Sequence, residues 1–176
     1  VVIELNNAVS SGHSIRPATA DDLADIVDIW SEGQIIASEL GVPPTRDQVA
    51  RFYMQYLSDA ERSPRIWVAT TEIRTILGWQ ALLPNRPHPT FSQSWAQSST
   101  YIRQEAQGRG LGIDLLNFAM QLAPSIGIRH ILGYIREDNA ASIRLVERLK
   151  WQRVGMLPQD DGDALILYHY LTSKNH

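Results

Sequence analysis

The stretch Gln104–Leu116, QEAQGRGLGIDLL, sets Gly108, Gly110 and Gly112 in alternation with larger residues, directly ahead of an apolar pattern of helical period. Ordering glycines so close together costs conformational entropy, so a bare backbone there asks for a reason. Ahead of the loop, SWAQSSTYIR (Ser94–Arg103) reads as a long strand. Behind it, Leu111, Leu115, Ala119, Leu122 and Ala123 recur on one side of a helix that Pro124 and Gly127 bring to an end. Strand, glycine loop and helix N-terminus in succession make an anion site, because free N–H groups point outward and the helix dipole favours negative charge. A plain flexible turn is the other reading of the same residues. Two familiar phosphate loops fit poorly. A Walker loop ends in G-K-[ST], which is absent here, and a Rossmann fingerprint needs a small residue where Ile113 stands.

The elements around this loop narrow the fold. SIRPA (Ser14–Ala18) reads as a first strand, and Thr19 caps a helix with Asp21 and Asp22 in its first turn. Thr45 and Gln48 form a capping box ahead of Val49, Phe52, Tyr53, Tyr56 and Leu57 at helical spacing. RIWVATT (Arg65–Thr71) and RTILGWQALL (Arg74–Leu83) read as a hairpin. After the loop and its helix, IRHILGYI (Ile128–Ile135) suits a central strand, and Asp138 or Asn139 caps a helix facing inward through Leu145, Val146 and Leu149. WQRVGM (Trp151–Met156) and DALILYHYLT (Asp163–Thr172) are the last strands. Early antiparallel strands followed by a βαβ unit predict a mixed α/β (α+β) sandwich.

Composition excludes several function classes. With 176 residues, 44% apolar and 20% charged, the chain is of one-domain size and soluble type. A net charge of −3 gives no global basic footprint for nucleic acid. The absence of cysteine removes disulfides, thiolate nucleophiles and cysteine metal sites. No apolar run approaches the roughly 18 residues that a membrane span needs. The opening VVIELNNAVSSGHS lacks the basic and apolar regions of a signal peptide. The expectation is a loosely ordered leader over 1–13, a single domain over 14–176, a cytoplasmic location, and no metal, nucleic-acid or membrane partner.

Three segments together resemble the GCN5-related N-acetyltransferase (GNAT) superfamily, and most of all its phosphinothricin acetyltransferase-like branch. The family loop [Q/R]-x-x-G-x-[G/A] is matched by Gln107, Gly110 and Gly112; DNAASIRLVERLKWQRVGML (Asp138–Leu157) resembles the second signature; IRPATADDLADIVDIW resembles the first strand and helix. The resemblance implies a mixed, mostly antiparallel sheet with helices on both faces and a splayed parallel βαβ cleft for acetyl-CoA. It implies backbone N–H groups for the pyrophosphate from Gly108, Arg109, Gly110, Leu111, Gly112 and Ile113. It also implies strand pairing of the pantetheine arm with Thr100, Tyr101 and Ile102, and further cofactor contacts from Gln107, Asn139 and Ser142. The acceptor is then the amine of a small, amino-acid-like molecule; homodimerisation is left open.

Two expected acid–base groups are missing. The branch carries a Glu on the strand leading into the loop, where this chain has Gln97, which hydrogen-bonds but takes no proton. Many members carry a Tyr on the second-signature helix, where this chain has Val146. Gln97 and Tyr134 are the catalytic candidates; Tyr134 lies on the strand beside the presumed cleft, where a core role is the plainer reading. Glu137, His88, Glu32 and Glu39 are further candidates without a deciding feature. Arg86, in PNRP, matches basic residues that face the substrate carboxylate in the branch, against a solvent-facing loop arginine. The missing groups keep two alternatives open: a catalytically weak or non-catalytic acyl-CoA-binding module, and a protein or peptide N-acetyltransferase.

Overall fold

The computed structural model describes residues 9–10, 12–34, 44–58, 65–85, 94–159 and 164–172. Its strands are β1 (Val9–Ser10), β2 (His13–Pro17), β3 (Ile66–Thr70), β4 (Ile76–Pro84), β5 (Trp95–Ile102), β6 (His130–Arg136), β7 (Gln152–Pro158) and β8 (Ala164–Leu171). Its helices are α1 (Leu23–Gln34), α2 (Arg46–Leu57), α3 (Leu111–Leu122) and α4 (Ala140–Arg148). The hydrogen-bonded strand order is β1-β2-β3-β4-β5-β6-β8-β7. The pair β5–β6 is parallel, while β1–β2, β2–β3, β6–β8 and β7–β8 are antiparallel. This is the mixed α/β architecture that the βαβ pattern predicts. The first strand begins one residue earlier than the sequence suggests and pairs with Val9–Ser10, inside the stretch read as a leader.

The chain packs as two compact units, Val1–Gln80 with Thr100–Phe118, and Ala81–Ser99 with Ala119–His176. In the first, β3 is buried at every position, as a central strand without a polar face must be. Trp79 is fully buried and donates its indole N–H to Ile26 C=O at 3.1 Å, which fixes α1 against β4. The Tyr53 ring of α2 meets Trp79 edge-on at 5.1 Å. Burial there pushes the Tyr53 phenol up, so it stays neutral. The capping box predicted at Thr45 is formed: Thr45 N–H donates to Gln48 Oε1 at 2.7 Å and Gln48 N–H to Thr45 Oγ1 at 3.3 Å. Ahead of α1, burial pushes the Asp22 carboxyl up, but the Arg16 guanidinium at 2.7 and 2.8 Å and the Thr19 N–H outweigh it and hold it below its usual range.

In the second unit, Ile131, Gly133 and Ile135 of β6 are buried, alternating with half-buried His130, Leu132, Tyr134 and Arg136. Trp151 covers Gly133, where a Cβ would lie 3.3 Å from the indole, and bonds through its N–H to Met120 Sδ at 3.3 Å. A side chain at 133 would displace that ring, so the glycine here is a packing requirement.

Candidate active site

The glycine loop has the conformation its sequence demands. Gly108 and Gly110 take φ of 75° and 85°, the left-handed region open to glycine, and a Cβ at either would meet nothing within 4 Å. These glycines are therefore required by backbone direction and not by crowding. The loop is pinned at its base by Gln107, whose Nε2 donates to Ile102 C=O at 3.1 Å. Ile113 N–H and Asp114 N–H both turn back to Gly110 C=O, at 2.9 and 3.2 Å. Among the described residues, the N–H groups of Gly108, Arg109, Gly110, Leu111 and Gly112 meet no acceptor. Gly108, Arg109 and Gly110 are exposed, Gly112 is half-buried, and Leu111 turns its side chain into the core. Successive unpaired donors at a helix N-terminus are what an oxyanion needs.

The strand that feeds this loop is held on both sides. Arg103, at its end, donates to Asp25 at 2.6 Å, to Glu32 at 2.9 Å and to Ile76 C=O at 2.9 Å. Glu32 also accepts from Gln104 N–H at 3.2 Å, so this carboxylate, one of the candidate bases, already has partners. Tyr101 stacks on Trp79 at 4.6 Å, and its ring lies close over Gly33, where a Cβ would be 3.0 Å from it. Thr100 donates to the fully buried Gln80 through a short hydroxyl–amide hydrogen bond. An open cavity of about 440 Å³ is lined by Glu32, Arg103, Gln104 and Glu105.

In the second unit, the parallel ladder of β5 and β6 runs from Trp95↔His130 to Gln97↔Leu132. Aligned residues of a parallel pair share a face, as the Trp95–His130 stack at 4.1 Å confirms for its first rung. Gln97 therefore shares its face with Leu132 and with Tyr134, one side-chain step further along β6. Gln97 is exposed and Tyr134 half-buried. The Tyr134 hydroxyl accepts from Asn85 Nδ2 at 3.2 Å. Val146, in place of the expected tyrosine, is buried in the core. Asn139, and not Asp138, caps α4, accepting from Ser142 N–H at 3.0 Å. Glu137 is exposed beyond β6, whose Arg136 binds Asp138. Arg86, His88 and Glu39 lie outside the described residues. Sequence reasoning missed Asn85 and the buried Gln80, because neither belongs to a local pattern.

The model of the acetyltransferase (GNAT) domain matches residues 14–152. The chain belongs to the GNAT acetyltransferase family. It is an acyltransferase of the N-acetyltransferase type, in the phosphinothricin acetyltransferase-like branch. It is 29% identical over 147 residues to the L-methionine sulfoximine/L-methionine sulfone acetyltransferase of Pseudomonas aeruginosa, covering 83% of this chain and 84% of that protein. It is 27% identical over 144 residues to the phosphinothricin N-acetyltransferase of Streptomyces coelicolor, covering 80% and 82%. A phosphinothricin acetyltransferase from Sinorhizobium meliloti, solved in complex with acetyl-CoA, shares the fold with a TM-score of 0.78 at 21% identity, over 94% of this chain and 91% of that one. The strand order and the βαβ unit are thus those of the family. No described helix is long and apolar enough to cross a membrane.

Proposed function

We propose that this family member transfers the acetyl group of acetyl-CoA to the amine of a small, amino-acid-like acceptor, with residues 14–176 acting as one catalytic domain. The observation that carries this reading is the run of unpaired N–H groups from Gly108 to Gly112. They form a cradle for the pyrophosphate, with the exposed Arg109 beside it and Gln107 and Ile113 closing the loop on either side. Thr100, Tyr101 and Ile102 supply the strand edge for the pantetheine arm, and Asn139 and Ser142 a further contact through α4. Relatives that act on methionine sulfoximine, methionine sulfone and phosphinothricin support an acceptor bearing both an amine and a carboxylate. Arg86 is the residue assigned to that carboxylate.

The chemistry is direct attack. A neutral amine adds to the thioester carbonyl, the C–S bond breaks, and one proton moves from nitrogen to sulfur. Gln97 orders a water that accepts the amine proton, since its amide takes none itself. Tyr134 returns a proton to the thiolate. Holding both substrates together supplies much of the rate without side-chain acid–base chemistry.

Calorimetry with acetyl-CoA and a thiol-release assay test this reading. The acceptors are phosphinothricin, L-methionine sulfoximine, L-methionine sulfone and a simple alkylamine. Acetyl-CoA binding with turnover of the amino acids and not of the alkylamine is the expected result. Absence of acetyl-CoA binding overturns the reading outright.

A further inference from the structure

We propose that Asn85 is a positioning residue for acetyl transfer: its side-chain amide fixes the Tyr134 phenol so that the O–H remains the free donor on the Gln97 face of the sheet. The proposal rests on the transferase reading above and adds a residue and a direction of hydrogen bonding to it.

The geometry is local to one unit. Asn85 follows the last residue of β4, and its backbone N–H donates to Trp95 C=O at 3.1 Å, which anchors it beside the first rung of the β5–β6 ladder. From there its Nδ2 donates to Tyr134 Oη at 3.2 Å. A phenol oxygen has one proton to give and lone pairs to receive. Because Asn85 fills a lone pair, it orients the ring while leaving the proton unengaged; among the described residues no other partner of this hydroxyl is found. The backbone of Tyr134 is itself fixed by its pairing with Leu167 of β8. A half-buried phenol held in this way is a preset donor, and Val146 removes the other position from which the family would supply one.

In the step, the amine nitrogen forms a bond to the carbonyl carbon and the C–S bond breaks, sulfur keeping the electron pair. Tyr134 gives its proton to that sulfur and recovers one, through water, from the nitrogen that became the amide. The net change is one proton from nitrogen to sulfur, and nothing is oxidised or reduced.

The test compares Tyr134→Phe, Asn85→Ala, Asn85→Asp and the double variant Asn85→Ala/Tyr134→Phe. Each is assayed with acetyl-CoA and the best-used acceptor of the panel above, and each is checked for acetyl-CoA binding by calorimetry. Tyr134→Phe should lower kcat on the order of 100-fold with the KM for acetyl-CoA unchanged. Asn85→Ala should lower kcat about fivefold to tenfold, and should add nothing once Tyr134 is Phe. Asn85→Asp, of the same shape, turns the bond around: its carboxylate accepts the phenol proton, so kcat should fall to the level of Tyr134→Phe. Equal kcat for Asn85→Asp and the parent protein, or additive losses in the double variant, overturn the proposal while leaving acetyl-CoA binding and transfer intact. Failure of the parent protein to bind acetyl-CoA overturns the transferase reading, and this proposal with it.

Discussion

His130 Nδ1 lies 3.1 Å from His169 Nε2, and Trp95 stacks on the first ring at 4.1 Å and on the second at 5.9 Å. Two imidazoles at that distance share a hydrogen bond only while one of them is neutral. Burial, the neighbouring His169 and the Arg129 charge all lower the His130 pKa. An unfolded histidine titrates near pH 6.5, so the unfolded chain takes up its proton first as pH falls. Stability from this group is therefore complete above about pH 6.5, is lost as pH falls from there to the folded pKa, and is flat below it. Urea unfolding from pH 7.5 down to 5 should show this fall, and His130→Gln should reduce it. An unchanged pH slope in that variant assigns the effect to other groups. Half-exposure of the rings keeps the effect small.

The loop glycines give a second prediction. Gly110 and Gly127 both have positive φ, 85° and 79°, and a Cβ at either meets nothing within 4 Å. Alanine at either should therefore cost a similar amount, about 1–2 kcal/mol of backbone strain. Gly110 belongs to the proposed pyrophosphate cradle, whereas Gly127 closes the turn after α3. Gly110→Ala should weaken acetyl-CoA binding at least tenfold, and Gly127→Ala should leave it unchanged once stability is allowed for. Chemical denaturation read beside calorimetry separates the two effects; equal affinities would remove Gly110 from the cradle.

Legibility in the sequence followed range along the chain. The loop could be read because positive φ selects glycine, and the caps of α2 and α4 because the capping residue is three positions from its partner. Element order followed from periodicity, with ends shifted by a residue or two, as at β2 and β6. What could not be read is pairing across the sheet. Asn85 and Tyr134 are 49 residues apart and His130 and His169 are 39 apart, and each pair meets only through register. Gln80 sits in an apolar strand as one polar residue, fully buried, and its bond to Thr100, 20 residues on, is not legible in any local pattern. Arg103 read as the tail of a strand, yet its fork joins Asp25 and Glu32 of α1 to the β5 end.

Gly78 and Gly33 crowd the strand that enters the loop, and they differ in how far their neighbours can yield. A Cβ at 78 would lie 2.8 Å from Tyr101 C=O and 3.2 Å from Ile102 Cα, both backbone atoms, besides 2.6 Å from Ile102 Cδ1. At 33 it would meet only the Tyr101 ring, at 3.0 Å. Gly78→Ala should destabilise by about 1–3 kcal/mol and shift β5, while Gly33→Ala should cost less because a ring can tilt. The order of the two midpoints in urea checks this, and acetyl-CoA affinity should fall more for Gly78→Ala.

Gln97 carries the last prediction. It is exposed on the face that also bears Tyr134, at the final rung of the β5–β6 ladder. A carboxylate there would be solvated, would keep an ordinary affinity for protons, and would be ionised at neutral pH. If the acceptor amine lies within one water of it, Gln97→Glu converts an ordered water into one that a base can deprotonate, and kcat/KM should rise on the order of tenfold or more. Acetyl-CoA affinity should move far less, because Gln97 lies outside the Gly108–Gly112 run assigned to the pyrophosphate. The gain should also follow the ionisation of the new carboxylate, vanishing as pH falls below about 4.3. Rates of the two proteins measured from pH 4 to 9 with one acceptor decide the matter. Parallel profiles across that range would mean that the amine proton leaves by a route that does not pass Gln97.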